Sequence, residues 1–199
     1  PNPSCWLLSL SGINLNESLP NNAAVCVLAV KPQIMKTALP QITKFKNSET
    51  VFLSIAAGST IKMFEEELGK TSRVVRAMPN TPASVNKGIT AIIGNNFSSE
   101  SDLTLSESLM NSVGQTLRLE SESQMDAVTA ISGSGPAYVF YLIESLALAG
   151  EKQGLSSGLS MKLAQSTVIG AGALSDDSPE TPSELRINVT SPGGTTQAA

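Results

Sequence analysis

The stretch AAVCVLAVKPQIMKTALPQITKF, residues 23–45, decides the fold. Residues 23–30 are a continuous apolar run rich in Val, bounded by Asn21-Asn22 and Lys31-Pro32, the pattern of a strand buried on both faces. A helix is expected after it, over 34–45. VFLSI at 51–55 repeats the strand signature, and AAGST makes a turn. IKMFEEELG at 61–69 then alternates apolar and acidic positions before a terminal Gly, as a short surface helix does. RVVRAM at 73–78 reads as a third strand. Strand, helix, strand, helix with short links predicts a parallel sheet covered by helices, the doubly wound α/β architecture.

Downstream, GITAIIG at 88–94 reads as another strand, Ser98-Ser99-Glu100 as the cap of a helix ending near Val113-Gly114, and QTLRLES at 115–121 as the strand that closes the sheet. From Gln124 the character changes. Ala, Ser, Gly and Leu recur at helical spacing through Ala149 and again over 159–174. A boundary near Glu120 is therefore expected, with a partial dinucleotide-binding domain over 1–120 and a helical domain over 121–199. The small residues Ala164, Ser166, Gly170, Ala171 and Gly172 point to tight helix contacts between subunits.

Composition narrows the function classes. At 199 residues and 41% hydrophobic content, the chain can bury a core in one large or two modest domains. A net charge of −4 with few, scattered Lys and Arg argues against a nucleic-acid partner. No apolar run approaches the roughly 20 residues that span a bilayer, and the first residues carry no basic leader, so neither a membrane nor a secreted location is expected. The two cysteines, Cys5 and Cys26, with Cys26 inside an apolar run, fit a reduced, cytoplasmic compartment. Histidine is absent. Ser-His-Asp triads, Cys-His dyads and imidazole metal sites are thereby excluded, and no metal is expected.

Four motifs remain, each with a plain structural reading beside a functional one. AVKPQ at 29–33 is either a strand-end turn or the lining of the crevice where open α/β sheets bind ligands. MPNTP at 78–82 is a stiff loop in which Asn80 either braces its neighbours or serves the site directly. SGSGPAY at 132–138 lacks a preceding strand, so its glycines permit close packing rather than cradle a phosphate, and Pro136 suits the first turn of a helix. SPGGTT at 191–196 is either a Pro-Gly-Gly turn or a cradle of bare amides and hydroxyls able to hold a small carboxylate.

In this order and spacing, AVKPQ, MPNTP, DAVTAISGSGPAY (126–138) and SPGGTT make the chain resemble the pyrroline-5-carboxylate reductase family over nearly all of its length. The resemblance implies an oxidoreductase of proline biosynthesis that reduces 1-pyrroline-5-carboxylate to L-proline with a hydride from NADPH, or alternatively NADH. It implies that Ala29, Val30, Lys31 and Pro32 pack along the cofactor's ribose and pyrophosphate. Asn16 would lie on the adenosine side, Ala56 and Ala57 near the nicotinamide, and Asn188 at the carboxamide. Ser191, Gly193, Gly194, Thr195 and Thr196 match the family's substrate loop, with Thr196 bonding the ring nitrogen as the catalytic group. Glu122 is similar to an acidic contact to the same nitrogen. The helical domain of the family interlocks between chains, so a homodimer or higher homo-oligomer is implied.

No GxGxxG stands before Ala23, so we expect a piece without the first strand and phosphate-binding turn, stopping within the SPGGTT helix start and inactive in isolation. Two alternatives compete with the reductase: a non-catalytic dimerisation or binding module built on this fold, and a related imine or hydroxy-acid reductase.

Overall fold

The computed structural model of the chain describes residues 23–45 and 49–198. Five strands form one sheet in sequence order: β1 Val25–Leu28, β2 Val51–Ser54, β3 Arg73–Met78, β4 Gly88–Gly94 and β5 Gly114–Arg118. β1, β2 and β3 run parallel, and so do β4 and β5. The wholly parallel sheet expected from the sequence is corrected at one joint, where β3 and β4 pair antiparallel, Met78 opposite Ala91. A parallel crossover takes about a dozen residues or more, usually a helix. The link here, residues 79–87, is shorter and folds into the 3-10 turn Thr81–Val85. A Cβ on Gly88 would lie 2.9 Å from Ala83 Cα, so the loop turns back directly onto β4.

Alternate residues of the strands feed two cores. Phe52 and Val74 join Met35 of α1 (Pro32–Ala38) and Phe64 and Leu68 of α2 (Ile61–Leu68) on one face. Val51, Leu53, Val75 and Ile92 join Leu103 and Met110 of α3 (Glu100–Asn111) on the other. Helices on both faces are the doubly wound arrangement, and each large side chain buried this way contributes about 1.5–3 kcal/mol. The expected run buried on both faces is met in β2; in β1, Val27 is 50% exposed, because β1 has a neighbour on one side only among the described residues. The helix expected over 34–45 divides into α1 and a 3-10 segment, Leu39–Phe45. Pro40 has no N–H to donate and its ring crowds the preceding turn, which ends the α-helical pattern.

After β5 come the turn Glu122–Gln124, α4 (Met125–Val128) and a wide π-type turn, Thr129–Gly133. The chain divides into two compact units, the first ending at Gly133 and the second beginning at Ser134. That division lies beyond the expected boundary near Glu120, because Glu122, Met125 and Ser132 are bonded to, or buried in, the sheet unit.

The second unit holds α5 (Gly135–Lys152), α6 (Ser157–Asp177), α7 (Pro182–Asn188) and α8 (Thr195–Ala198). α5 and α6 pack through small residues. Ala147 and Ala164 are buried, and a Cβ on Gly150 would stand 2.8 Å from Ser160 Oγ. Ala164, expected at a subunit contact, is thus spent on packing inside the chain, whereas Gly170 and Gly172 face open space. α5 leaves Tyr138, Phe140, Tyr141 and Leu142 exposed around its first turns. Among the described residues, no helix is long and apolar enough to cross a membrane.

Candidate functional site

The expected site residues fall into two groups, one in each unit. In the sheet unit, Leu28 of β1 pairs with Ser54 of β2 in parallel register, so the two strands end at one edge. Ala29, Val30, Lys31 and Pro32 therefore share that edge with Ala56 and Ala57. Ala29 and Lys31 are exposed and Val30 is half-buried. Lys31 is extended (φ −60°, ψ 143°), its carbonyl accepts from Ile34 N at 3.0 Å, and Pro32 opens α1. Ala56 is buried and its N–H donates to Ser54 Oγ at 3.3 Å; Ala57 is exposed beside Gly58, whose φ of 73° a side chain would resist. The edge thus presents Ala29, Ala56 and Ala57 with the intervening backbone, beside Val30 and Lys31. Asn16 lies outside the described residues.

Glu122 is placed differently from the expectation. Its Oε1 accepts from Arg76 Nη1 and from Ile61 N, each at 2.8 Å. Arg76 is 5% exposed in the middle of β3, a cation that must be paired to be buried. The Ile61 N–H belongs to the first turn of α2, where intrahelical partners are lacking, and Thr60 Oγ1 covers another such donor, Met63 N. Through Oε1 the carboxylate anchors Arg76 and the start of α2, a structural role that its sequence context did not offer. Arg76 is the partner the sequence reading missed; the signal was a charge inside the apolar strand RVVRAM.

Asn80 braces: its Oδ1 accepts from Ile89 N at 3.0 Å and its Nδ2 donates to Ser132 O at 3.2 Å. Pro136 lies in the first turn of α5, as SGSGPAY predicts.

In the helical unit, α7 starts from a capping box. Thr181 Oγ1 accepts from Glu184 N, and Glu184 Oε2 accepts from Thr181 N at 2.7 Å. The Thr181 hydroxyl and N–H together hold the Glu184 carboxyl below the usual range. Asn188, at the end of α7, donates from Nδ2 to Glu180 Oε1 at 2.9 Å. The loop then turns through Gly193 (φ 72°), with Gly194 N donating to Ser191 O at 3.0 Å. Gly193 N donates to Gln197 Oε1 at 2.5 Å, so this amide holds a side-chain oxygen inside the chain. A Cβ on Gly194 would come 3.1 Å from Ser191 O, which explains a glycine there. Ser191, Thr195 and Thr196 are exposed. The loop thus presents the hydroxyls of Ser191, Thr195 and Thr196 at an exposed turn whose Gly193 and Gly194 amides are engaged within the chain.

Comparison with known proteins places both units. Residues 122–199 match the family model described as pyrroline-5-carboxylate reductase dimerisation. Over 187 residues the chain is 42% identical to a pyrroline-5-carboxylate reductase of Pseudomonas aeruginosa, covering 94% of this chain and 68% of that protein. A solved pyrroline-5-carboxylate reductase from Coxiella burnetii is similar at 39% identity with a TM-score of 0.84, over 91% of this chain and 69% of that one. The Plasmodium falciparum pyrroline carboxylate reductase, solved with NADP bound, is similar at 36% identity and a TM-score of 0.81, over 89% of this chain and 67% of that one. The chain spans about two thirds of the length of these relatives.

Proposed function

We propose, since this chain belongs to the pyrroline-5-carboxylate reductase family, that it serves proline biosynthesis by reducing 1-pyrroline-5-carboxylate to L-proline with NADPH, NADH being the alternative donor. Two separate observations carry the reading: the sheet unit ends β1 and β2 in a small-residue edge at 29–32 and 56–57, and the helical unit carries an exposed hydroxyl loop at 191–196.

The residues present fit the cofactor. Ala29, Val30, Lys31 and Pro32 would hold its ribose and pyrophosphate, Ala56 and Ala57 its nicotinamide, with Asn188 at the carboxamide. When bound, the dinucleotide supplies the hydride that adds to the carbon of the ring C=N bond. The chain's own part is positioning and charge. The N–H group of Gly193 and the hydroxyls of Ser191 and Thr195 hold the carboxylate, Gly194, whose N–H closes the turn on Ser191 O, shapes the loop around it, and Thr196 Oγ1 hydrogen-bonds the ring nitrogen. A protonated imine is already electrophilic, so a chain without histidine needs orientation and hydrogen bonding rather than a strong acid. Gln197 releases Gly193 N when the carboxylate arrives. Glu122 is assigned to anchoring Arg76 and α2, and is left out of the substrate contacts.

The helical unit associates with a second copy, which covers exposed apolar side chains of α5 such as Phe140 and Tyr141. A cytoplasmic location accompanies this reading, supported by the free thiol of Cys26, which burial pushes up and so keeps unreactive. NADPH oxidation in the presence of 1-pyrroline-5-carboxylate, measured with this sequence in a chain that also supplies the phosphate-binding turn, tests the activity. Dependence of the rate on the imine supports the proposal, and oxidation equal with and without it opposes the proposal.

A further inference from the structure

We propose that Ser54 and Glu122 are positioning residues for the cofactor, holding the loop 56–60 by its two ends so that Ala57 and Gly58 keep a fixed place at the edge of the sheet. The proposal rests on the reductase reading above, which puts the nicotinamide at Ala56 and Ala57. Every residue involved belongs to the sheet unit. The loop leaves β2 where β1 and β2 end together, and the crevice beyond the carboxyl ends of parallel strands is where open α/β sheets take ligands.

Ser54 holds the first end. Ile55 N still bonds β1, donating to Leu28 O at 3.2 Å, and Ala56 N lies past that ladder. Ala56 is buried, so an unpaired N–H there would be costly, and Ser54 Oγ accepts from it at 3.3 Å. Ser54 is itself 0% exposed at the end of the apolar run VFL, where a hydroxyl is unfavourable unless it is hydrogen-bonded. Glu122 holds the second end. α2 begins at Ile61, whose N–H has no partner within the helix and donates to Glu122 Oε1 at 2.8 Å. Arg76 grips the same oxygen and stands opposite Ser54 in the β2–β3 register, so the two holds start from neighbouring positions on the sheet. Between them, Ser59 N donates back to Ala56 O at 3.4 Å, and Gly58 takes the positive φ, 73°, that a type II turn needs at its third residue. Ala57 and Gly58, at the apex, are exposed.

A loop already in its bound shape does not have to be ordered when a ligand arrives, and the gain is felt only by a ligand that touches the loop. Releasing either end should therefore weaken a dinucleotide that carries nicotinamide and spare a ligand confined to the adenosine side. General loosening of the sheet unit weakens both alike.

Binding is measured by calorimetry with this sequence in a chain that also supplies the phosphate-binding turn, at a temperature where every variant is folded. The ligands are NADPH and adenosine 2′,5′-bisphosphate, which lacks the nicotinamide. Ser54→Ala removes the acceptor of Ala56 N, and Glu122→Ala that of Ile61 N. For each we expect the Kd for NADPH to rise roughly three- to tenfold and the Kd for the bisphosphate to stay within about twofold of the parent. Glu122→Gln, which keeps an oxygen for Ile61 N, should hold NADPH within about twofold of the parent. Amide-exchange protection at Ala56 should fall in Ser54→Ala, and at Ile61 in Glu122→Ala. Parental NADPH affinity in either alanine variant overturns the role of that residue, and an equal loss for the two ligands overturns the proposal. A parent that binds NADPH without turning over 1-pyrroline-5-carboxylate counts against the reductase reading alone, and the affinities of the variants still decide the positioning role. A parent that does not bind NADPH overturns both.

Discussion

Arg76 Nη1 stands 2.8 Å from Glu122 Oε1, joining the middle of a buried strand to the first residue of the segment that matches the family's dimerisation model. The pair explains why residues 122–133 stay with the sheet although their sequence has already turned helical. Its cation is 5% exposed and its carboxylate 31%, so removing the carboxylate strands a buried charge.

Glu122→Ala should destabilise the protein by about 2–4 kcal/mol, below the cost for a fully buried pair because water reaches the carboxylate. Glu122→Gln, which keeps an oxygen for Ile61 N, should lose less and leave the KM for the imine unchanged. Urea unfolding at fixed protomer concentration, with steady-state kinetics, checks both. A large rise in KM for Glu122→Gln with parental stability would return Glu122 to the substrate contacts.

Gly170 faces open space, with nothing within 4 Å of where its Cβ would be. Gly170→Leu should therefore be tolerated by the chain itself, and even favoured by about 1 kcal/mol of helix propensity, while overpacking any partner helix pressed against it. Sedimentation should show the parent as a dimer or larger and the variant shifted toward monomer, with unchanged helical content. An undisturbed dimer would place the interface elsewhere on α5 and α6.

Glu184 makes α7 acid-sensitive. Its pKa is lowered in the folded chain by the Thr181 hydroxyl and N–H, so its contribution is complete above the ordinary carboxylate range and is lost as pH falls through the lowered value. Protection of the α7 amides, taken relative to their intrinsic exchange at each pH, should fall on acidification and stay constant above it. Glu184→Gln should abolish that dependence. An equally acid-sensitive α7 in the Gln variant would assign the effect to another group.

Much of the fold was legible because it rests on periodicity. The apolar runs at 51–55 and 73–78 became β2 and β3, and Thr60, Gly69 and Ser99 mark helix ends as capping chemistry requires. What was not legible depended on pairing at a distance. The direction of β4 follows from the shortness of the 79–87 link, and the division at Gly133 from bonds that Arg76 and Asn80 make with residues 46 and 52 positions away. The candidate site was legible as motifs, which the structure places at a strand edge, 29–32 and 56–57, and at the end of α7 and the loop after it, 188–196. The true partner of Glu122 was not, since nothing local to ESESQ points to an arginine on β3.

The account stands most directly on the Thr196 hydroxyl. Thr196→Val removes the hydrogen bond proposed for the ring nitrogen and keeps the side-chain shape. We predict kcat/KM for 1-pyrroline-5-carboxylate lower by roughly ten- to a thousandfold, about 1.4–4 kcal/mol, with NADPH affinity and melting temperature near parental and with Thr196→Ser retaining most activity. A Val variant that is destabilised by about 1 kcal/mol yet turns over at the parental rate would show the Thr196 hydroxyl to serve only the first turn of α8, contradicting the role assigned to the 191–196 loop.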